Sequence, residues 1–525
     1  MGGQRERTVE ELGRGVFDVL VIGGGIVGAR VAFDAARVGL RVALVDAGDF
    51  GGATSGASAR LVHGGLRYLG TGDFRLVRMA LRERNVLASR VAPHLVRPLP
   101  FVLSAAGGRR SRSAAGLLVY AALDGFRSPL PRFVTPEEAA LLVPSLCVGD
   151  SASHAVYYEA KTNDSRLTLA TVTAAARCGA VVANYLRVVN LDPAPGRISR
   201  VSLEGRRGEV TLRCRAVVNA TGPWLDLLRN MEDSACEPIT RLSKGIHLVL
   251  RPDEQWRAAA AVSLEEGQHL YAVPCEDRVL LGTTEQEFHG DPASVTVEPG
   301  DVSYLLEKAS QFLRPEILRR KRVVSSFAGL RVLPRGEEAT LHASRDHLLS
   351  VGPGGMVSVA GGKLTTHRRI ALDALRHLPD SVRPRRRSLN ETPLPGSSPG
   401  PVHNANLDGS TVDHLLHLYG SETGKLLEYS KVHDNAFERL TPEAPDLWAQ
   451  VYHAIREEWA LTAEDIIYRR TTVGLRGFDT PELRRTISAV LETGAKVPPA
   501  GLFEPISLTF RFRNGYRNAW KTVVL

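Results

Sequence analysis

One unit near the start of the chain, Phe17 to Asp46, constrains the fold more than any other stretch. Val19-Leu20-Val21-Ile22 is a short, β-branched apolar run of the kind expected for a strand covered on both faces. Gly23, Gly25 and Gly28 then spell G-x-G-x-x-G, a helical pattern runs through Val31, Ala32, Ala35 and Ala36, and Gly39 ends it. Arg41 to Val45 reads as the next strand, with Asp46 at its end. Gly23 permits the tight turn, Gly25 lets a pyrophosphate reach the backbone, and Gly28 lets the helix pack close to the strand. The helix N-terminus faces the phosphates, and the acid accepts the ribose hydroxyls. A glycine triplet alone is weak. Strand, glycines, helix, strand and acid in this order predict a Rossmann-like α/β domain holding a dinucleotide. Asp46 favours an unphosphorylated ribose, as in FAD or NAD over NADP.

Two later segments repeat the strand-to-glycine pattern. Val217 to Gly222 is an apolar strand ending in Ala220-Thr221-Gly222, and Met356 to Lys363 runs into Gly361-Gly362-Lys363. Thr365 and Thr366 then open a helical stretch, Arg368 to Leu378, whose N-terminus would aim donors at an electron-rich ring edge. Three separated units suit a large cofactor threaded through one domain built from discontinuous segments. With 525 residues, the chain is long enough for roughly three domains. Its 43% hydrophobic and 23% charged residues exclude a disordered chain. The net charge of +9 is modest and in keeping with solvated surface, anionic substrates or anionic lipid, and no nucleic-acid partner is expected. Five cysteines with no C-x-x-C pair argue against a disulfide framework or a zinc or iron–sulfur site, so no metal is expected. Met1 to Gly15 lacks an apolar core, so no secretory signal is expected, and no apolar run is long enough for a spanning helix.

Further strings carry a family likeness: Leu61-Val62-His63-Gly64-Gly65-Leu66-Arg67-Tyr68-Leu69, Phe74-Arg75-Leu76-Val77, Ala92 to Pro100, Lys244-Gly245-Ile246-His247, Gly282-Thr283-Thr284, Ser344-Arg345-Asp346-His347 and Gly361-Gly362-Lys363-Leu364-Thr365-Thr366. With the glycine unit, they make the chain resemble the FAD-dependent glycerol-3-phosphate dehydrogenases of the aerobic, respiratory type over about residues 17 to 490. There are departures. Gly56-Ala57-Ser58-Ala59-Arg60 replaces a serine-rich run ending in Lys, and Asn163, Glu285 and His367 stand where Asp, Asp and Tyr are common.

The resemblance implies non-covalent FAD and oxidation of sn-glycerol 3-phosphate to dihydroxyacetone phosphate, with electrons passed to a quinone. It implies flavin contacts from Gly23, Gly25, Gly28, Asp46, Thr54, Ser55, His63, Gly64, Ala220, Gly222, Gly362, Lys363, Leu364 and Thr365. Arg67, Tyr68, Arg331 and Arg345 are the implied substrate residues, arginine's planar fork suiting a phosphate. His247 is the expected base, and Lys363 is its rival or an electrostatic stabiliser. Two other functions remain open at this point: an oxidase of the same substrate using oxygen, and a flavin-binding protein without turnover.

The expected architecture is α/β. An FAD-binding domain of the glutathione-reductase/D-amino-acid-oxidase type spans 17–105, 160–235 and 345–380, and an antiparallel-sheet substrate cap spans 106–159 and 236–344. The proline-rich stretch 381–400 reads as a linker, 401–500 as a C-terminal helical domain and 501–525 as a tail. Ser410 with Asp413 and Thr462 with Asp465 resemble helix caps, and Thr480-Pro481 a helix start. Arg109-Arg110-Ser111-Arg112 precedes the apolar Ala114 to Leu123, a pattern that suits a packed amphipathic helix or one lying on a membrane. The protein is expected in the cytoplasm, with peripheral contact on the cytoplasmic membrane face and a homodimer as further expectations.

Overall fold

The computed structural model describes residues 2–70, 72–105, 110–148, 153–206, 208–263, 269–335, 347–384, 391–398 and 407–493. The predicted first strand forms as Val16–Ile22 and pairs in parallel with Val42–Val45 on one side and with Gly208–Asn219 on the other. The sheet runs Val181–Ala183, Val42–Val45, Val16–Ile22, Gly208–Asn219, Val357–Gly361, with His347–Val351 antiparallel at its edge. The strands from all three glycine-bearing segments therefore lie side by side. Helices Ile26–Ala36, Asp164–Arg177 and His367–Arg376 cover one face over a core of Val19, Val21, Leu44, Val172, Val359 and Ile370. The other face is covered by the first helix, Gly2–Arg14, by helix Leu225–Glu232 and by the meander Leu186–Ala194 and Arg197–Gly205. Both faces are buried, which explains the unbroken apolar runs.

The second sheet is largely antiparallel. Thr240–Leu250 pairs along its length with Val323–Pro334, which sets Arg331 opposite Ser243 and Phe327 opposite His247. Two of its strands form a hairpin, His269–Cys275 with Arg278–Gly282. Helix Pro299–Ala309 packs on this sheet through Leu305 and Ala309. The bounds drawn from sequence need correction here. Arg97–Ala105 and Leu61–Val62, placed in the cofactor domain, are strands of this second sheet. Arg97–Ala105 pairs antiparallel with Ser153–Lys161 and parallel with Ala259–Ser263. Both partners lie 48 residues or more away in sequence, so no local pattern could assign it to a sheet.

The C-terminal region folds as helices Gly409–Tyr419, Thr423–Leu427, Trp448–Glu457 and Pro481–Thr493 around Leu415, Leu426, Tyr429, Val451 and Ile466. Thr462 and Asp465 form the expected capping box, and Thr480 Oγ1 accepts from the Leu483 amide. The first of these helices is capped differently from the sequence expectation: Asp408, not Ser410, accepts the Thr411 amide at 3.0 Å. Within the expected linker, Leu394 donates to the Val91 carbonyl at 2.8 Å, so residues 391–398 dock on the body. The tail 501–525 lies outside the described residues. No helix among the described residues is long and apolar enough to cross a membrane.

Candidate functional site

A cavity of about 1300 Å³ opens where the carboxyl ends of the parallel strands face the second sheet. At one end stands the glycine turn. Gly23 has φ +103° and a Cβ there would meet the Ala220 carbonyl oxygen at 2.5 Å, so only glycine fits. A Cβ on Gly28 would stand 1.9 Å from the Gly23 carbonyl oxygen, which is how closely helix Ile26–Ala36 approaches the turn. Gly25 faces the cavity directly and has only Ser55 Oγ, 3.0 Å from its ideal Cβ position, beside it. Ser55 Oγ accepts from the Ile26 amide at 3.0 Å.

Asp46 closes this end. Its Oδ2 accepts from the Gly24 amide at 2.6 Å and its Oδ1 from the Gly48 amide at 2.8 Å. Burial pushes its carboxyl up to about 6, against the pull of those two amides. Each oxygen keeps a further lone pair for a ribose hydroxyl. A glycine cradle without side chains, a helix N-terminus and an acid at the strand end fit the adenosine diphosphate half of a flavin dinucleotide.

The other end is cationic. Arg331 donates from Nη2 to Thr283 Oγ1 at 2.9 Å and from Nη1 to the Thr284 carbonyl at 3.1 Å. Arg67 stacks over Tyr68, 5.0 Å from the ring centroid, and donates to its hydroxyl at 3.1 Å. Glu285 lies between the two arginines, 3.8 Å from Arg67 and 3.6 Å from Arg331, with only 9% of its side chain exposed. Lys363 Nζ sits 3.8 Å from the centroid of the same Tyr68 ring. Arg67, Arg331 and Lys363 against Glu285 leave this cluster of side chains a net charge of about +2, and a local excess of this kind in a low-dielectric cleft attracts anions.

His247 lies on the cavity wall, 4% exposed, with its ring stacked 5.0 Å from that of Phe327. Neither of its ring nitrogens has a hydrogen-bond partner among the described residues. Burial, with Arg331 and Arg60 adding to it, lowers its pKa to about 3. The imidazole is therefore neutral at physiological pH and holds a lone pair ready to accept a proton.

The cavity wall includes Gly23, Gly25, Asp46, Thr54, Ser55, His63, Arg67, Ala220, Gly222, His247, Arg331, Gly362, Lys363, Leu364 and Thr365. Three expected residues stand behind it. Gly28 supports the turn. Gly64 turns its amide to Glu159 at 3.1 Å and packs against Tyr120 and Leu81. The Tyr68 ring packs under Arg67 and Lys363. Thr54 spends its hydroxyl on the Leu330 carbonyl at 2.7 Å, and Thr365 Oγ1 accepts from the His63 amide at 3.1 Å. Arg345 lies outside the described residues. Sequence reasoning noticed Glu285 only as an odd residue, since nothing in its spacing reveals that two distant arginines converge on it. It missed the wall contributed by Thr462, Glu464 and Arg469 altogether.

The profile of a family described as FAD dependent oxidoreductase matches residues 18–368, and that of the C-terminal domain of alpha-glycerophosphate oxidase matches residues 389–496. A glycerol-3-phosphate dehydrogenase of Mycobacterium leprae is 35% identical over 495 residues, covering 90% of this chain and 83% of its own. The crystal structure of glycerol-3-phosphate dehydrogenase from Bacillus halodurans complexed with FAD superposes with a TM-score of 0.74 at 26% identity, over 96% of this chain and 99% of that one. An L-alpha-glycerophosphate oxidase from Mycoplasma pneumoniae with FAD bound shares the fold at 16% identity and a TM-score of 0.57, over 73% of this chain and 99% of its own.

A proton titration tests the electrostatics of the site. In protein carrying isotope-labelled histidine, the resonance lost in His247→Gln should keep its neutral-imidazole shift down to roughly pH 5, well below the ordinary midpoint of ~6.5. A midpoint near that ordinary value would contradict the buried, cation-flanked placement.

Proposed function

From a chain that belongs to the FAD-dependent glycerol-3-phosphate dehydrogenase family, we propose oxidation of sn-glycerol 3-phosphate to dihydroxyacetone phosphate in the cavity between the two sheets. The observation that carries the reading is one pocket holding two convergent arginines, a neutral histidine with no hydrogen-bond partner among the described residues, and a glycine cradle. Bound FAD supplies the hydride acceptor.

In this reading Arg67 and Arg331 hold the phosphate, which carries about −1.5 to −2 charge at neutral pH. Arg331 is fixed by Thr283 and Thr284, and Arg67 by Tyr68, so neither reorients on binding. Glu285 sets their spacing and lowers the pocket to a charge that a phosphate dianion balances. His247 accepts the hydroxyl proton. Lys363, with its Nζ over the Tyr68 ring, is the rival candidate base. It suits stabilisation of the forming alkoxide or of the flavin edge. Substrate binding also tunes the base: a phosphate on Arg331 offsets one of the charges that hold the His247 pKa low.

Delivery of electrons to a membrane quinone extends the proposal. Helix Arg110–Leu123 and the turn after it leave Leu118, Phe126 and Leu130 about 60% exposed, downstream of basic residues at 109, 110 and 112. An apolar ridge with a basic flank suits peripheral contact with an anionic bilayer.

Arg331→Lys keeps the charge and loses the fork. Its kcat/KM for glycerol 3-phosphate should fall roughly 10- to 100-fold, while glycerol, without the phosphate, should show little further loss. An equal penalty on both substrates would mean that Arg331 serves the fold. For the membrane contact, Leu118→Glu with Phe126→Glu should abolish co-flotation with vesicles of anionic phospholipid. Undiminished flotation of that variant would rule the ridge out as the contact.

A further inference from the structure

The described residues of the C-terminal helical domain form part of the cofactor cavity. Thr462, Ala463, Glu464 and Arg469 line the wall on the side where Asp46 stands. The same domain grips the loop that follows Asp46. Asp49, on that loop, receives Arg469 Nε and Arg470 Nη1 on one carboxylate oxygen. It receives Arg470 Nη2, at 2.8 Å, and Asn184 Nδ2, at 3.1 Å, on the other. Asp49 and Arg470 are buried, with side chains 1% and 0% exposed.

The contact is not a single ion pair. Arg470 also donates to the Glu458 carbonyl at 2.6 Å, and Arg469 to Asp465 at 2.6 Å. Tyr185, next to Asn184 and on the cavity wall, donates its hydroxyl to Asp465 at 2.6 Å. Asn184 reaches the Trp459 carbonyl at 2.8 Å. The Trp459 ring meets Phe50 edge to face, with centroids 5.6 Å apart. Phe50 in turn packs on the glycine turn: a Cβ at Gly24 would stand 2.3 Å from its ring. The Gly51 amide donates to the Gly24 carbonyl at 3.1 Å. A continuous chain of contacts thus runs from the helical domain, through Trp459 and Phe50, to the turn that would carry the pyrophosphate. A parallel one runs through Arg469, Arg470 and Asp49 to the loop behind Asp46.

We propose that the C-terminal helical domain is a clamp on the adenosine end of FAD, acting through Arg469, Arg470 and Trp459 on the loop 46–51, so that retention of the cofactor depends on a domain remote from the chemistry. The loop is short, glycine-bearing and attached to the sheet at one end, with Gly48, Gly51 and Gly52 free of side chains. Ordering it in advance removes an entropy cost from cofactor binding. Arg469 plays two parts: it orders Asp49 and adds positive potential beside Asp46, which favours the ionised carboxylate that accepts ribose hydroxyls. The proposal rests on FAD as cofactor and is independent of the substrate assignment.

The test uses the full-length apoprotein, prepared by flavin removal and titrated with FAD, with flavin fluorescence as the readout. Arg469→Gln and Trp459→Leu should each raise the Kd for FAD roughly tenfold or more and speed FAD loss from the holoprotein. Tyr452→Phe, which removes a hydrogen bond to Asn435 inside the helical domain, should leave the Kd within about twofold of the parent. Circular dichroism checks that each apoprotein is folded, and two unlike variants protect the test against one that fails to fold. An unchanged Kd in both folded clamp variants overturns the proposal. So does an equal loss in Tyr452→Phe, which would mean general weakening of the domain. A parent apoprotein that takes up no FAD would refute the cofactor assignment itself, before any variant is compared.

Discussion

The carbonyl oxygen of Gly23 lies where a Cβ of Gly28 would be, and the Ala220 carbonyl lies where a Cβ of Gly23 would be. This three-way close approach locks helix Ile26–Ala36 and the ends of strands Val16–Ile22 and Gly208–Asn219 into one rigid corner. The crevice beyond the strand ends follows from it, because the chain must turn away there without side chains. Everything that faces a cofactor is placed relative to that corner: Asp46 by the neighbouring strand, Thr221 and Gly222 by the next, and Gly362 to Thr365 by Val357–Gly361 beyond it. A rigid corner also gives the second sheet a fixed surface to face, so Arg331 and His247, on paired strands, meet the same cavity.

Electrostatics then divides the cavity into two jobs. At the glycine end, backbone amides and a helix N-terminus supply diffuse positive potential, with the buried Arg469 and Arg470 paired to Asp49 behind Asp46. At the other, Arg67, Arg331 and Lys363 supply full charges that Glu285 and the Tyr68 ring partly offset. His247 is held neutral chiefly by burial, with Arg331 and Arg60 adding to it, and lies on the wall of the open volume. Cations and a neutral buried imidazole thus share one wall of the cavity.

The sequence was most informative where the backbone itself does the work. Gly23, Gly25, Gly28 and Asp46 could be read in order because turn geometry and strand ends leave a local signature. The Thr462–Asp465 cap was legible for the same reason. What escaped is non-local. Arg97–Ala105 joins the second sheet through strands far along the chain, and no residue in it states which sheet it belongs to. Glu285 gains its part only when Arg67, more than two hundred residues earlier, folds beside it. Gly64 and Tyr68 sit within a distinctive string, yet the string marks the neighbourhood of the site, and only the fold shows that Glu159 and Lys363 take them as supports. Arg469 and Arg470 read as ordinary basic residues of a helical domain until Asp49 is found buried against them.

A cofactor on the glycine corner that accepts hydride from a phosphate-bearing alcohol on the arginines would report the reaction in its own spectrum. Anaerobic addition of glycerol 3-phosphate to the oxidised holoprotein tests it without any electron acceptor in the way. The account predicts that the visible flavin absorbance bleaches, with dihydroxyacetone phosphate formed in equal amount to the flavin reduced. A flavin spectrum that stays oxidised in the presence of saturating glycerol 3-phosphate would contradict it.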